Sequence, residues 1–177
     1  TEGVRTYYCS ICGSTTTESI PKLEADFNVA YDAYERGDYS TAVSIYSVLA
    51  EQGDQAAQNN LALCYEYGRG VSQNYYTAVY WYQKSAAQGD VDAMTNIALY
   101  HYLGQGTRQD YAEAVRWWEK SASLGDGKAC FNLGICYRDG TGVWKDLDEA
   151  EKWLLKAKEL GHPKAAHTLE QMKRLHS

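Results

Sequence analysis

Proline is almost missing from this 177-residue chain, with two residues, and phenylalanine and methionine also number two each. Few prolines leave room for uninterrupted helices, because proline removes a backbone donor and clashes with the preceding turn. No apolar run approaches the roughly 18 residues that a membrane-spanning helix needs, and no signal-peptide pattern is visible. A basic excess is missing as well. The net charge is −6 and the pI about 5.2, the opposite of the basic face that nucleic-acid binding requires. Catalytic signatures are absent too. There is no His-Glu-x-x-His, no Gly-x-Ser-x-Gly and no P-loop, and the four histidines (His101, His162, His167, His176) form no motif. These absences point away from an enzyme, a membrane span and a nucleic-acid partner.

What is present is repetition. Three blocks of 36 residues recur in register: 54–89, 90–125 and 126–161. Glycine stands at 53, 89, 125 and 161, alanine at 42, 78, 114 and 150, and Trp81, Trp117 and Trp153 share one column. Each block reads as two helices. In the first, Ala57, Leu61 and Cys64 make one apolar face at helical period. Gly68-Arg69-Gly70-Val71 then forms a turn, and Asn74 opens a second helix whose buried stripe is Ala78, Tyr82 and Ser85. The equivalent caps Asp110 and Asp146 have Glu113 and Glu149 three residues on, the spacing of capping boxes. Gly-x-Gly here follows a helix and not a strand, so it is no nucleotide fingerprint.

A shorter unit, 21–53, precedes the blocks with an inter-helix loop four residues shorter. Residues 162–177 follow as a capping helix with Leu169, Met172 and Leu175 on one face and Pro163 suited to its first turn. The expected fold is all-α, a right-handed superhelical solenoid of helix-turn-helix repeats. The remaining segment, 1–20, carries a Cys-x-x-Cys.

The pattern Ala129, Leu133, Gly134, Tyr137, Gly140, Gly142, Val143, Asp146, Ala150 and Trp153 resembles the SEL-one-like repeat (SLR), a relative of the tetratricopeptide repeat. The likeness covers about 22–177. The second block departs from it, with His101 for the tyrosine and Thr107 for the valine, and unit 21–53 is more similar to a true tetratricopeptide repeat. The resemblance implies a bacterial scaffold or adaptor that binds protein or peptide along a concave face, as a monomer or weak oligomer. A narrower form neutralises or escorts one partner, as in immunity to secreted toxins. It leans toward a periplasmic or secreted setting, with a cytoplasmic one left open.

The concave columns carried over from that family are Phe27, Asn28, Tyr31, Tyr34, Asn60, Leu63, Tyr67, Asn96, Leu99, Tyr102, Phe131, Asn132 and Ile135. Asparagine recurs at 28, 60, 96 and 132. Its amide both donates and accepts, so the column suits an extended peptide backbone. The other reading has each amide bonded to the neighbouring repeat. Tyr31, Tyr34, Tyr67 and Tyr102 are expected in the groove, whereas the Tyr65/Tyr137 column is expected to pack between repeats. Residues 1–54 hold nine acidic and three basic side chains, the whole of the net charge. That makes one end acidic, either as ordinary solubilising charge or as a field that orients a basic partner.

Cys64 and Cys136 share a column on a buried face and read as small apolar core residues, and Cys130 has no well-spaced partner on its helix. Cys9 and Cys12 stand apart. They are half of a four-ligand zinc site, a redox pair, a local disulfide or the remnant of a larger domain. A metal-binding or redox protein that uses this pair, with the repeats as platform, is the alternative function. The chain begins at Thr1, as a processed or trimmed product would. Metal analysis of the purified chain tests the zinc reading. Stoichiometric zinc lost on Cys9→Ser would establish it, and metal-free protein would remove it.

Overall fold

The computed structural model describes the backbone of residues 4–8, 15–19 and 26–176 and the side chains of residues 26–174. Cys9 and Cys12 lie outside the described residues. The N-terminal segment contains two strands that the sequence reading did not expect, β1 (Val4–Tyr8) and β2 (Thr15–Ser19). They pair antiparallel, Val4 opposite Ser19 and Tyr8 opposite Thr15. Valine, threonine and tyrosine favour the pleated conformation. The signal was legible in Val-Arg-Thr-Tyr-Tyr and Thr-Thr-Thr.

Everything described from residue 26 onward is helix and turn. The helices are α1 (Phe27–Glu35), α2 (Tyr39–Glu51), α3 (Gln55–Tyr67), α4 (Tyr75–Ala87), α5 (Val91–Leu103), α6 (Tyr111–Ser123), α7 (Gly127–Asp139), α8 (Leu147–Glu159) and α9 (Ala165–His176). Consecutive helices pack on one another throughout, so the array is an all-α solenoid of helix pairs closed by α9. The α1–α2 connection is four residues shorter than those of the later pairs, as the sequence spacing requires.

The helices begin where a carboxylate or amide can take a free backbone donor. Asp26, Asp38, Asp54, Asn74, Asp90, Asp110, Asp126 and Asp146 each accept from an amide two or three residues on. The reciprocal half of the expected capping boxes does not form. Glu113 turns to Arg116 instead, and Glu149 to Lys152 at 2.6 Å. The cap amides are already taken, Asp110 N donating to the His101 carbonyl and Asp146 N to the Tyr137 carbonyl, both at 2.9 Å. At α9 His162 replaces the capping aspartate, and Pro163 lies in a turn before the helix, which starts only at Ala165.

The core runs the length of the array as repeating columns. Ala57, Ala93 and Ala129 of the first helices and Ala78, Ala114 and Ala150 of the second helices are fully buried. Small side chains there let paired helices approach closely. Gly134 takes this further: a Cβ on it would fall 2.6 Å from Leu154 Cγ. Leu61, Ile97 and Leu133 fill the space beside them, each worth about 1.5–3 kcal/mol on burial. The tryptophan column joins repeats: Trp81 and Trp117 each touch two of the core clusters. Tyr65 likewise spans two clusters, and Tyr137 packs on the last one, so that column lies between repeats.

Asp126 illustrates a polar tie between repeats. It caps α7 and accepts from Thr95 Oγ1, and Ser121 Oγ shares its one proton between Asp126 Oδ2 at 3.1 Å and the Val91 carbonyl at 3.3 Å. Ser85 plays the same part for Asp90 and the Gln55 carbonyl. Buried Gln58 bonds the Ala50 carbonyl and, through Gln88, links three helices.

The second glycine of each inter-helix turn rests on the preceding repeat. A Cβ on Gly106 would overlap the Tyr75 carbonyl, and Gly106 also has φ +63°. Gly89 has φ +99° but open space around it. Gly89→Ala is therefore expected to cost about 1–2 kcal/mol from backbone conformation alone. Gly106→Ala should cost clearly more, because a repeat contact is lost as well. Denaturant titration of both variants checks the order, and equal losses would contradict it.

Burial raises the Cys64 and Cys136 thiols to about 11 from their usual 9. A raised acid in the folded state contributes stability below its unfolded value and loses it as pH rises. Melting temperature should therefore fall between pH 9 and 11, joined above pH 10 by buried Tyr46 and Tyr82, whose phenols burial also raises. A flat melting profile over that range would contradict this account.

Candidate peptide-binding groove

The first helices α1, α3, α5 and α7 present one outward stripe each. On α3 it is Ala56, Asn60, Leu63 and Tyr67, at i, i+4, i+7 and i+11, none of them buried. Its equivalents are Asp92, Asn96, Leu99 and Leu103 on α5, and Lys128, Asn132, Ile135 and Asp139 on α7. An ion pair of 3.3 Å between Lys128 Nζ and Asp92 Oδ1 crosses from one repeat to the next within the first row. The stripes are therefore side by side, and their residues line up as rows across the array.

The second row is asparagine. Asn28 is exposed, and Asn60, Asn96 and Asn132 are half-buried. Among the described residues, their side-chain amides make no hydrogen bond to the protein. The alternative in which each amide bonds to the neighbouring repeat thus finds no support in the structure. Beside it runs an apolar row: Tyr31, Leu63, Leu99 and Ile135. Leu99 is 42% exposed and Tyr31 48%. The last row adds Tyr67 at 56% and Leu103 at 49%, a residue absent from the sequence-based set. Its leucine occupies a tyrosine or aspartate position in the other blocks, so no column signal marked it.

The remaining sequence-based residues sit differently. Tyr34 is half-buried against Tyr39 and bonds through its hydroxyl to Arg69, whose guanidinium lies over the rings of Tyr34, Tyr39 and Tyr67 at 5.0–5.6 Å. Tyr102 is half-buried against Tyr111 and Trp118. Both form the edge of the face and not its floor. Phe27 packs on Tyr46 of α2 and stacks on Tyr31. Phe131 stacks on His162 at 4.1 Å and joins the cluster under α9. Its column-mate Thr95 is buried in the Ser121–Asp126 tie, so that column serves inter-repeat contact. Burial next to Phe131 also lowers the His162 pKa.

Cys64, Cys130 and Cys136 are buried free thiols, and burial raises all three above the ordinary cysteine value. That environment suits packing and disfavours the reactive thiolate. Trp144 is a different case: it is 94% exposed, in a turn where the other blocks carry Ser72 and Arg108. No helix among the described residues is long and apolar enough to cross a membrane.

Comparison with known proteins agrees with this architecture. The Sel1 repeat family matches residues 55–90, 91–126 and 127–162, more than half of the chain. Comparison with curated proteins returns no match. Among solved structures, the chain is similar to c5321, a protective antigen of uropathogenic Escherichia coli strains with an SLR fold. Identity there is 33%, the TM-score is 0.79, and the match covers 82% of this chain and 32% of the antigen. A Sel1 repeat protein from Oxalobacter formigenes is 30% identical, with TM-score 0.76 and coverage of 81% and 59%. Helicobacter pylori cysteine-rich protein B, 22% identical with TM-score 0.59, covers 75% of this chain and 95% of its own and shares the fold. The chain thus spans about a third and three-fifths of the first two relatives. Sel1-repeat proteins are generally protein-interaction scaffolds and typically not enzymes. With three consecutive matches over its 36-residue blocks, this chain belongs to the Sel1 repeat family.

Proposed function

We propose that this chain is a non-catalytic adaptor that holds an extended protein or peptide segment along the concave face lined by α1, α3, α5 and α7. The observation that carries the reading is the asparagine row, whose amides have no hydrogen-bond partner among the described residues. An amide offers both donors and acceptors. A row of them at repeat spacing fits a backbone, which presents the same two groups at every residue. The apolar row beside it supplies contact area for side chains, and half-exposed leucine and tyrosine suit the desolvated centre of an interface.

The test is affinity capture with mass spectrometry, using the wild-type chain and an Asn60→Ala/Asn96→Ala variant. Because these amides make no internal hydrogen bond, the variant should melt within about 2–4 °C of wild type. Losing two sets of hydrogen bonds to the bound segment should weaken binding tenfold or more. A variant that retains the same partner at the same affinity would remove the asparagine row from the function.

A further inference from the structure

One carboxylate at this face is only partly used. Glu66, half-buried near the end of α3, accepts a hydrogen bond from Tyr82 Oη at 2.6 Å through Oε2. The hydroxyls of Tyr67 and Tyr100 lie near the same carboxylate, yet among the described residues no cation pairs with it. Beside it stands Tyr100 of α5, only 5% exposed, whose buried hydroxyl makes no well-formed hydrogen bond and faces no acceptor but this carboxylate. A buried hydroxyl left unpaired costs free energy unless something supplies the missing bond. Next along the chain, the exposed Tyr67 also brings its hydroxyl to Glu66.

The wider charge pattern points the same way. The ion pairs of the array, Lys128–Asp92 among them, all lie beyond residue 90. In α1 and α3 the acidic groups Asp32, Glu35 and Glu66 have none among the described residues. Arg69, the base closest in sequence to Glu66, is committed to three tyrosine rings and the Tyr34 hydroxyl.

We propose that the segment held by this face carries a basic side chain, lysine or arginine, whose cationic head docks on Glu66 at the seam between α3 and α5. The inference rests on the groove reading above and adds the chemistry of the partner. The cation pairs with the carboxylate and leaves the Tyr82 bond intact. The carboxylate then turns its remaining acceptor capacity to Tyr100. Asp32 and Glu35 extend the same field toward the start of the array and favour further positive charge on the segment.

A randomised peptide library is selected against the full chain, and a selected peptide is compared with a copy in which citrulline replaces its arginine. Selected sequences should be enriched in arginine or lysine at one position. Citrulline should weaken binding about tenfold, the size of a lost charged hydrogen bond. Glu66→Gln, which still accepts from Tyr82, should erase that difference while leaving the citrulline peptide's affinity unchanged. Selected peptides without basic enrichment, or a citrulline effect that persists in Glu66→Gln, would overturn the inference and leave the groove reading standing. Peptides that bind Asn60→Ala/Asn96→Ala undiminished would overturn the groove reading, and the inference with it.

Discussion

The Gly-x-Gly turn inside each 36-residue block is seated on the start of the second helix one repeat back. Gly70 lies against Tyr39, Gly106 against Tyr75 and Gly142 against Tyr111, at distances that admit no side chain. All three glycines have positive φ, a conformation that costs other residues free energy. The contact sets the pitch of one repeat on the next. With a constant pitch, the tryptophan column can bridge successive clusters, and the serine–aspartate ties recur at the same place. With an irregular pitch, the rows of the outward face would fall out of line.

The outward face is thus a by-product of regular stacking, and its chemistry comes from positions that stacking leaves free. The buried columns are nearly uniform because each must fill the same space. The outward rows vary from block to block in all but one place, the asparagines. A polar group kept at every repeat, half-buried in the three full blocks and without a hydrogen bond to any described residue, does nothing for the stacking itself. The neighbouring Gln58, by contrast, is buried and spends both ends of its amide on the protein. The difference between those two amides is what separates a structural polar residue from one available to a ligand.

Charge is divided along the array in the same sense. Its later helices carry balanced ion pairs across and along the repeats, including Lys128–Asp92 and Arg138–Asp139. Among the described residues, the acids of α1 and α3 form no ion pair, and the arginine in the first full block is held by aromatic rings. Exposed pairs contribute little to stability, so the asymmetry matters for what approaches the surface more than for the fold.

Periodicity alone determined the repeat length, the helix pairs, the short first connection and the buried stripe of Ala78, Tyr82 and Ser85, because a core column must repeat its residue type in every block. It also placed Tyr65 and Tyr137 between repeats. Residues outside the repeats had no such redundancy, and β1 and β2 went unread. The columns could not say how far each residue stands from its neighbours in other repeats. Phe27 and Phe131 share outward columns in the sequence but turn into contacts with α2 and α9, and Leu103 is exposed although its column is mixed. Only the packed structure decided which asparagine amides remain unbonded and that Glu66 meets Tyr82 and Tyr100. Those facts depend on distances between side chains up to 34 positions apart, and a one-dimensional pattern does not contain them.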